Sequence, residues 1–259
     1  MGHQPDNEPG AAGQVPDLGV EAHAVAVERW RRARTERLLD PAGWLALVDR
    51  IPLEEGDSET PIGRVRVSGG RVWLRARTDL AVTVAGQPAG ERELHTEEPG
   101  PLDRVSAAGL TYELSRNAGQ FSLRVKDPEA PARRKFGGLD FYPPDPTWRL
   151  HARFEVPAAG APGLAHFVLD SRVFSLSTEA PGASRTTFVF GDQTNATDTY
   201  PGGRFLYASS PVGGEIILDF NFAFNPPCAF TPYAICPAVP PRNRLPFPVT
   251  AGERRYPDP

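Results

Sequence analysis

Ile216-Ile217-Leu218-Asp219-Phe220-Asn221-Phe222-Ala223-Phe224-Asn225 is the stretch that decides the fold class. In an extended strand successive side chains point to opposite faces. The spacing therefore predicts Ile216, Leu218, Phe220, Phe222 and Phe224 on one face, and Ile217, Asp219, Asn221, Ala223 and Asn225 on the other. The first row is a hydrophobic anchor. The second presents a carboxylate and two amides. If that face meets water, its polarity needs no explanation. If it lines a barrel interior or a cleft, those groups need partners or a ligand, because an unpaired buried polar group costs about 1–3 kcal/mol. Spacing alone leaves both placements open.

Downstream runs Asn225-Pro226-Pro227-Cys228-Ala229-Phe230-Thr231-Pro232-Tyr233-Ala234-Ile235-Cys236-Pro237, where prolines exclude any long regular element and stiffen the loop. Rigid loops beside strand ends often carry binding residues. Cys228 and Cys236 are expected as a disulfide or as buried thiols. One wide cysteine pair with no neighbouring histidine is a poor zinc set, so no metal site is expected. Upstream, Phe190-Gly191-Asp192-Gln193-Thr194-Asn195 leads to Thr199-Tyr200-Pro201-Gly202-Gly203-Arg204, a turn rich in residues that bond neighbouring backbone. Arg204 could pair with Asp192 or Asp219, or hold an anionic ligand in a forked contact.

The rest of the chain supports a mainly β reading. Val65 to Arg75 reads as a hairpin around Gly69-Gly70, with Val72 and Leu74 on one face and Arg71, Trp73 and Arg75 on the other. Segments 81–84, 110–114, 121–125, 150–156, 167–176, 186–190 and 205–207 continue the strand rhythm. Residues 126–146 look like a long connection rich in Pro, Gly and charge. Near the N-terminus, Val20 to Leu39 is a helix on the recurrence of Val20, Ala24, Val27, Trp30 and Leu38. Asp40-Pro41 closes it and starts a second, short helix through Trp44 to Val48.

Composition narrows the function classes. The 259 residues, 40% hydrophobic and 23% charged, are ordinary for a globular protein, and the net charge of -4 does not favour nucleic-acid binding. No run reaches the roughly 20 apolar residues of a membrane span. Residues 1–19 read as a disordered tail without the features of a secretory signal, so a cytoplasmic location is expected. There is no phosphate loop, dinucleotide glycine pattern, G-x-S-x-G elbow or HExxH motif.

Gly203-Arg204-Phe205-Leu206-Tyr207, Leu218 through Phe230, Cys236-Pro237, Pro241-Arg242-Asn243-Arg244-Leu245 and Ala251-Gly252-Glu253 together resemble the DUF1684 family of bacterial and archaeal proteins. The likeness continues more weakly through Arg134 to Leu139 and Thr147-Trp148-Arg149-Leu150. It implies emphasis on Asp192, Thr199, Tyr200, Gly203, Arg204, Asp219, Asn221, Asn225, Cys228, Cys236, Asn243 and Glu253, and implies no established activity or cofactor.

The expected fold is mainly β, an antiparallel barrel or sandwich with N-terminal helices. The expected division is 1–19 tail, 20–60 helical segment, 61–130 β subdomain and 131–259 β core with proline-rich loops. The expected function is binding of a small polar or anionic molecule through Asp192, Tyr200, Arg204, Asp219, Asn221, Asn225, Asn243 and Glu253. One alternative is a hydrolase using Asp192 or Asp219 as acid/base; another is a structural or interaction module.

Overall fold

The computed structural model describes residues 20–96, 102–181, 185–195 and 197–257; the expected tail at 1–19 lies outside them. The fold is mainly β and antiparallel, as the alternating segments predict. The chain divides into two compact units. One holds Arg37–Phe136 with Thr231–Ile235; the other holds the described residues of 7–36, Gly137–Phe230 and the described residues of 236–259.

The helix is found as predicted, α1 at Val20–Leu39. The expected second helix is corrected: Trp44–Ala46 makes one 3₁₀ turn and the chain then extends. In place of continuing helix, Leu47–Leu53 forms β1, pairing with Gln120–Lys126 much later in the chain. Long-range pairing overrides the local start signal at Asp40-Pro41, whose Asp40 carboxylate accepts from Ala42 N at 2.7 Å.

The first unit continues with β2 (Gly56–Thr60), β3 (Gly63–Ser68), β4 (Arg71–Ala76), β5 (Thr83–Val84), β6 (Gln87–Pro88), β7 (Glu91–Leu94), β8 (Arg104–Ala107), β9 (Leu110–Asn117) and β10 (Gln120–Lys126). They form a six-stranded sheet, β1-β10-β9-β8-β5-β6, and a four-stranded sheet, β2-β3-β4-β7. The β3–β4 hairpin forms where predicted, with Val67 opposite Val72 and Ser68 opposite Arg71. Val65, Val67, Val72, Leu74 and Leu94 of the small sheet share one core with Val105, Leu114 and Leu123 of the large one.

The second unit begins after the short helix α2 (Pro131–Arg134) with β11 (Arg149–Glu155), β12 (Leu164–Leu169), β13 (Arg172–Pro181), β14 (Arg185–Phe190), β15 (Arg204–Ser209) and β16 (Glu215–Asp219). The sheet order is β15-β14-β13-β12-β11-β16. Phe205 and Phe224 exchange two backbone hydrogen bonds of 2.9 Å, joining one edge strand to the chain beyond the other, so the sheet nearly closes into a barrel. Segment 167–176, read as one strand, is two: Asp170 and Ser171, both at positive φ, turn the chain between β12 and β13. Asp accepts that left-handed geometry better than most residues, which is why no glycine marks the turn.

The deciding stretch is corrected in its second half. Ile216, Leu218 and Phe220 point into the barrel core as expected. The Asp219 carboxylate then accepts from Asn221 N at 3.1 Å and caps a 3₁₀ turn, Phe220–Phe222, that ends the strand. The three phenylalanines therefore part company. Phe220 meets Phe167, Phe190 and Trp148; Phe224 meets Phe205 and Tyr207; Phe222 sets its ring edge-on to Trp30 and near His23.

Candidate functional site

Helix α1 buries a stripe at His23, Val27 and Leu38, with Trp30 half-buried and Arg34 buried between them. This is helical spacing, but two of its members are polar. Each finds a carboxylate. His23 Nε2 lies 2.7 Å from Asp219 Oδ2, and Arg34 Nε donates to Glu253 Oε2 at 3.2 Å. Arg34 also donates to Asn225 O at 2.9 Å and lies over the rings of Phe224 and Phe230. Neither helix residue was singled out from the sequence. An apolar-only count of the stripe hides them; the 23, 27, 30, 34, 38 spacing would have found them.

Arg204 pairs with Asp192 rather than Asp219. Its Nη2 donates to Asp192 Oδ2 at 2.9 Å and to Val249 O at 2.9 Å, and its Nη1 donates to Ala251 O at 2.5 Å. Both side chains are fully buried. Burial pushes Arg204 below its ordinary pKa against the pull of Asp192, though an arginine stays charged at any working pH. Asp192 Oδ1 accepts three further bonds, from Thr194 N, Thr194 Oγ1 and Val249 N. The pair thus ties the irregular C-terminal segment to the end of β14. At Gly203, φ is +90° and a Cβ would stand 2.6 Å from Phe190 O, so only glycine lets the chain reach Arg204 by this path.

The amides Asn243 and Asn221 are fully engaged, whereas Asn225 bonds through its nitrogen. Asn243 donates to Ser177 O and Val189 O at 2.8 and 2.7 Å and accepts from Ser177 N and Oγ. It patches the region where β13 and β14 change register. Asn221 accepts from Asp145 N and donates to Asp145 O, both at 2.8 Å, and donates to Asp219 Oδ1. Asn225 donates to Arg254 O at 2.7 Å. Tyr200 donates to Cys228 O at 3.3 Å. Cys228 and Cys236 are both thiols, and Cys228 N donates to Cys236 Sγ at 3.2 Å.

The residues expected to form one site are therefore distributed through the second unit in several hydrogen-bonded sets. Asp219, like Arg204 and Asn225, sits where a buried polar atom has no hydrogen-bond partner among the described residues. It lies at 8% exposure, near Arg149 Nε at 3.8 Å. With Nε2 of His23 directed at its carboxylate, the other ring nitrogen, Nδ1, is buried and has no hydrogen-bond partner among the described residues. Among those residues no group of three or more His, Cys, Asp or Glu is placed to hold a metal, and no helix is long and apolar enough to cross a membrane.

Residues 156–254 match the family described as "Protein of unknown function (DUF1684)". The chain belongs to the DUF1684 family. An uncharacterized protein of Haloarcula marismortui, solved in solution by NMR, is 30% identical; the alignment covers 49% of this chain and 82% of that one, with a TM-score of 0.42. No curated protein matches the chain. The DUF1684 segment contains Asp192, Arg204, Asp219, Asn225, Asn243 and Glu253, whereas His23, Arg34 and Arg149 lie before it. In this DUF1684 protein, then, His23, Arg34 and Arg149 reach Asp219 and Glu253 from α1 and the start of β11, outside the matched segment.

Proposed function

We propose that the second unit binds a small polar molecule carrying a hydroxyl or amine, held by His23 and Asp219 beside Arg149. The observation that carries this reading is the buried His23 Nδ1 without a partner. With Nε2–H donating to Asp219, Nδ1 presents a lone pair and calls for a donor. Leaving it unmet would cost about 1–3 kcal/mol. Asp192, Asn221 and Asn243, which the sequence places in the same role, act here as the frame; their hydrogen-bonding groups are spent within the protein, as are both terminal nitrogens of Arg204.

The same pair favours an acid/base hydrolase as the second reading. A carboxylate-oriented imidazole can take a proton from water or a hydroxyl through its free nitrogen. Asp192, with both oxygens engaged, has no such freedom.

One experiment addresses both. Native mass spectrometry looks for a retained small molecule, and a panel of polyols, hydroxy acids, amines and their esters is screened by thermal shift and for turnover. At a concentration of about 100 times Kd, a binder should raise the Tm of wild type by roughly 5–10 °C. His23→Gln should lose that rise. No retained molecule and no shift across the panel would remove the binding reading; turnover that survives in both His23→Gln and Asp219→Asn would remove the catalytic one.

A further inference from the structure

Two thiols of the second unit face each other across the proline-rich loop. Cys228 N donates to Cys236 Sγ at 3.2 Å, and the two side chains hydrogen-bond as well. Both are half-buried, and the segment that joins them carries the exposed Tyr233 and Ile235, at 40% and 48% exposure. Pro226, Pro227, Pro232 and Pro237 restrict the path on both sides, so the sulfurs are held together rather than meeting by chance.

We propose that Cys228 and Cys236 are a redox-active pair that exchanges with low-molecular-weight disulfides, with Cys228 as the attacking thiol and Cys236 as the resolving one. The Cys228 thiolate attacks one sulfur of a disulfide RSSR; the new bond is Cys228 S–S–R and the leaving group is RS⁻. The Cys236 thiolate then attacks the Cys228 sulfur, forms the internal disulfide and expels the second RS⁻. The protein gives up two protons and two electrons, and RSSR becomes two RSH.

The assignment of roles rests on surroundings. Hydrogen bonds from Cys236 and Tyr200 stabilise the Cys228 thiolate against the penalty of burial and lower the pKa from 9.0 to about 7. A thiol whose pKa lies near ambient pH is the best attacker, because enough of it is ionised while its nucleophilicity is retained. This chemistry does not depend on the His23–Asp219 site.

The test uses full-length protein and oxidised glutathione as the disulfide, with peptide-resolved mass spectrometry. Wild type should lose about 2 Da and both alkylatable thiols, and recover them with excess reductant. Cys236→Ala should stop at a glutathione adduct on Cys228. Cys228→Ala should react on the order of tenfold more slowly at pH 7, because it removes the thiol whose pKa the neighbouring Cys236 and Tyr200 lower. Iodoacetamide labelling of Cys228 in wild type should rise with pH through a midpoint near 7. If folded wild type keeps both thiols alkylatable, or accumulates a stable glutathione adduct without closing, the proposal is wrong. Faster capture by Cys236 than by Cys228 in the single variants overturns the roles. Urea midpoints of both variants establish that they are compared as folded proteins.

Discussion

On the small sheet of the first unit Arg64, Arg66 and Arg71 reach Glu59, Asp57 and Glu93 across neighbouring strands, and all three arginines stay in water. In the second unit Arg34 and Arg204 do the same chemistry at 2% and 0% exposure. Such exposed pairs are screened and contribute little, whereas a buried pair has given up its hydration and must be fully met by protein. Similar ions thus serve different ends. The first unit uses them to keep a sheet face soluble, and the second uses them to bind a helix and an irregular tail to a barrel that its hydrophobic core alone leaves unfinished.

The largest effect should come from breaking the deepest pair. Arg204→Met leaves Asp192 buried without its cation and strips the carbonyls of Val249 and Ala251 of their donor. Loss of one partner of a buried pair costs about 3–5 kcal/mol, read from the urea midpoint. Where that variant does not fold, Arg204→Lys keeps the charge, loses the forked contacts, and should still lose more than any exposed arginine variant. A change below about 1 kcal/mol would mean that the tail is held by something else.

How much of this was legible in the sequence depends on the range of each interaction. Helix α1 and the β3–β4 hairpin are decided by neighbours, and their periodicities announce them. The DUF1684 positions announce their importance but not their partners. Asp219 meets His23 at a separation of 196 residues and Glu253 meets Arg34 at 219, and no local pattern joins such positions. Binary alternation also proved degenerate after Asp219. A strand and a 3₁₀ turn both accept Phe-Asn-Phe, and the choice was made by the Asp219 carboxylate capping Asn221. Within the expected polar row, Asp219 and Asn221 bond each other for the same reason.

The first unit has one buried ionic cluster of its own, and it sharpens the comparison. Glu113, at 1% side-chain exposure, accepts from Lys126 at 2.8 Å, Arg124 at 3.1 Å and Arg104 at 3.0 Å. Burial raises its pKa, but the charges of Lys126 and Arg124 and the hydrogen bonds from Lys126 and Arg104 outweigh it, and the net shift is downward. A carboxylate depressed in the folded state contributes stability that is full above its unfolded pKa, near 4.3, and is lost as pH falls through the lower folded value. Glu113→Gln should therefore cost about 2 kcal/mol at pH 7. Its deficit relative to wild type should shrink as the pH falls below about 4. A deficit that is constant with pH would assign the loss to packing instead of charge.

The smallest effect belongs to the exposed sheet face. Arg71 donates to Glu93 at 2.8 Å through Nε and stacks its guanidinium 5.0 Å from the Trp73 ring centroid, both in solvent. Arg71→Ala should leave the urea midpoint unchanged within error, and raising the salt concentration should leave wild type equally unchanged, since water and ions replace what the pair supplies. A drop as large as that of Glu113→Gln would show that the Arg71–Trp73 stack packs the sheet. The contrast between the units would then be one of depth alone, since arginines on both would be holding structure, and the outer face of β4 could no longer be treated as a solvated surface whose only duty is to stay apart from its neighbours.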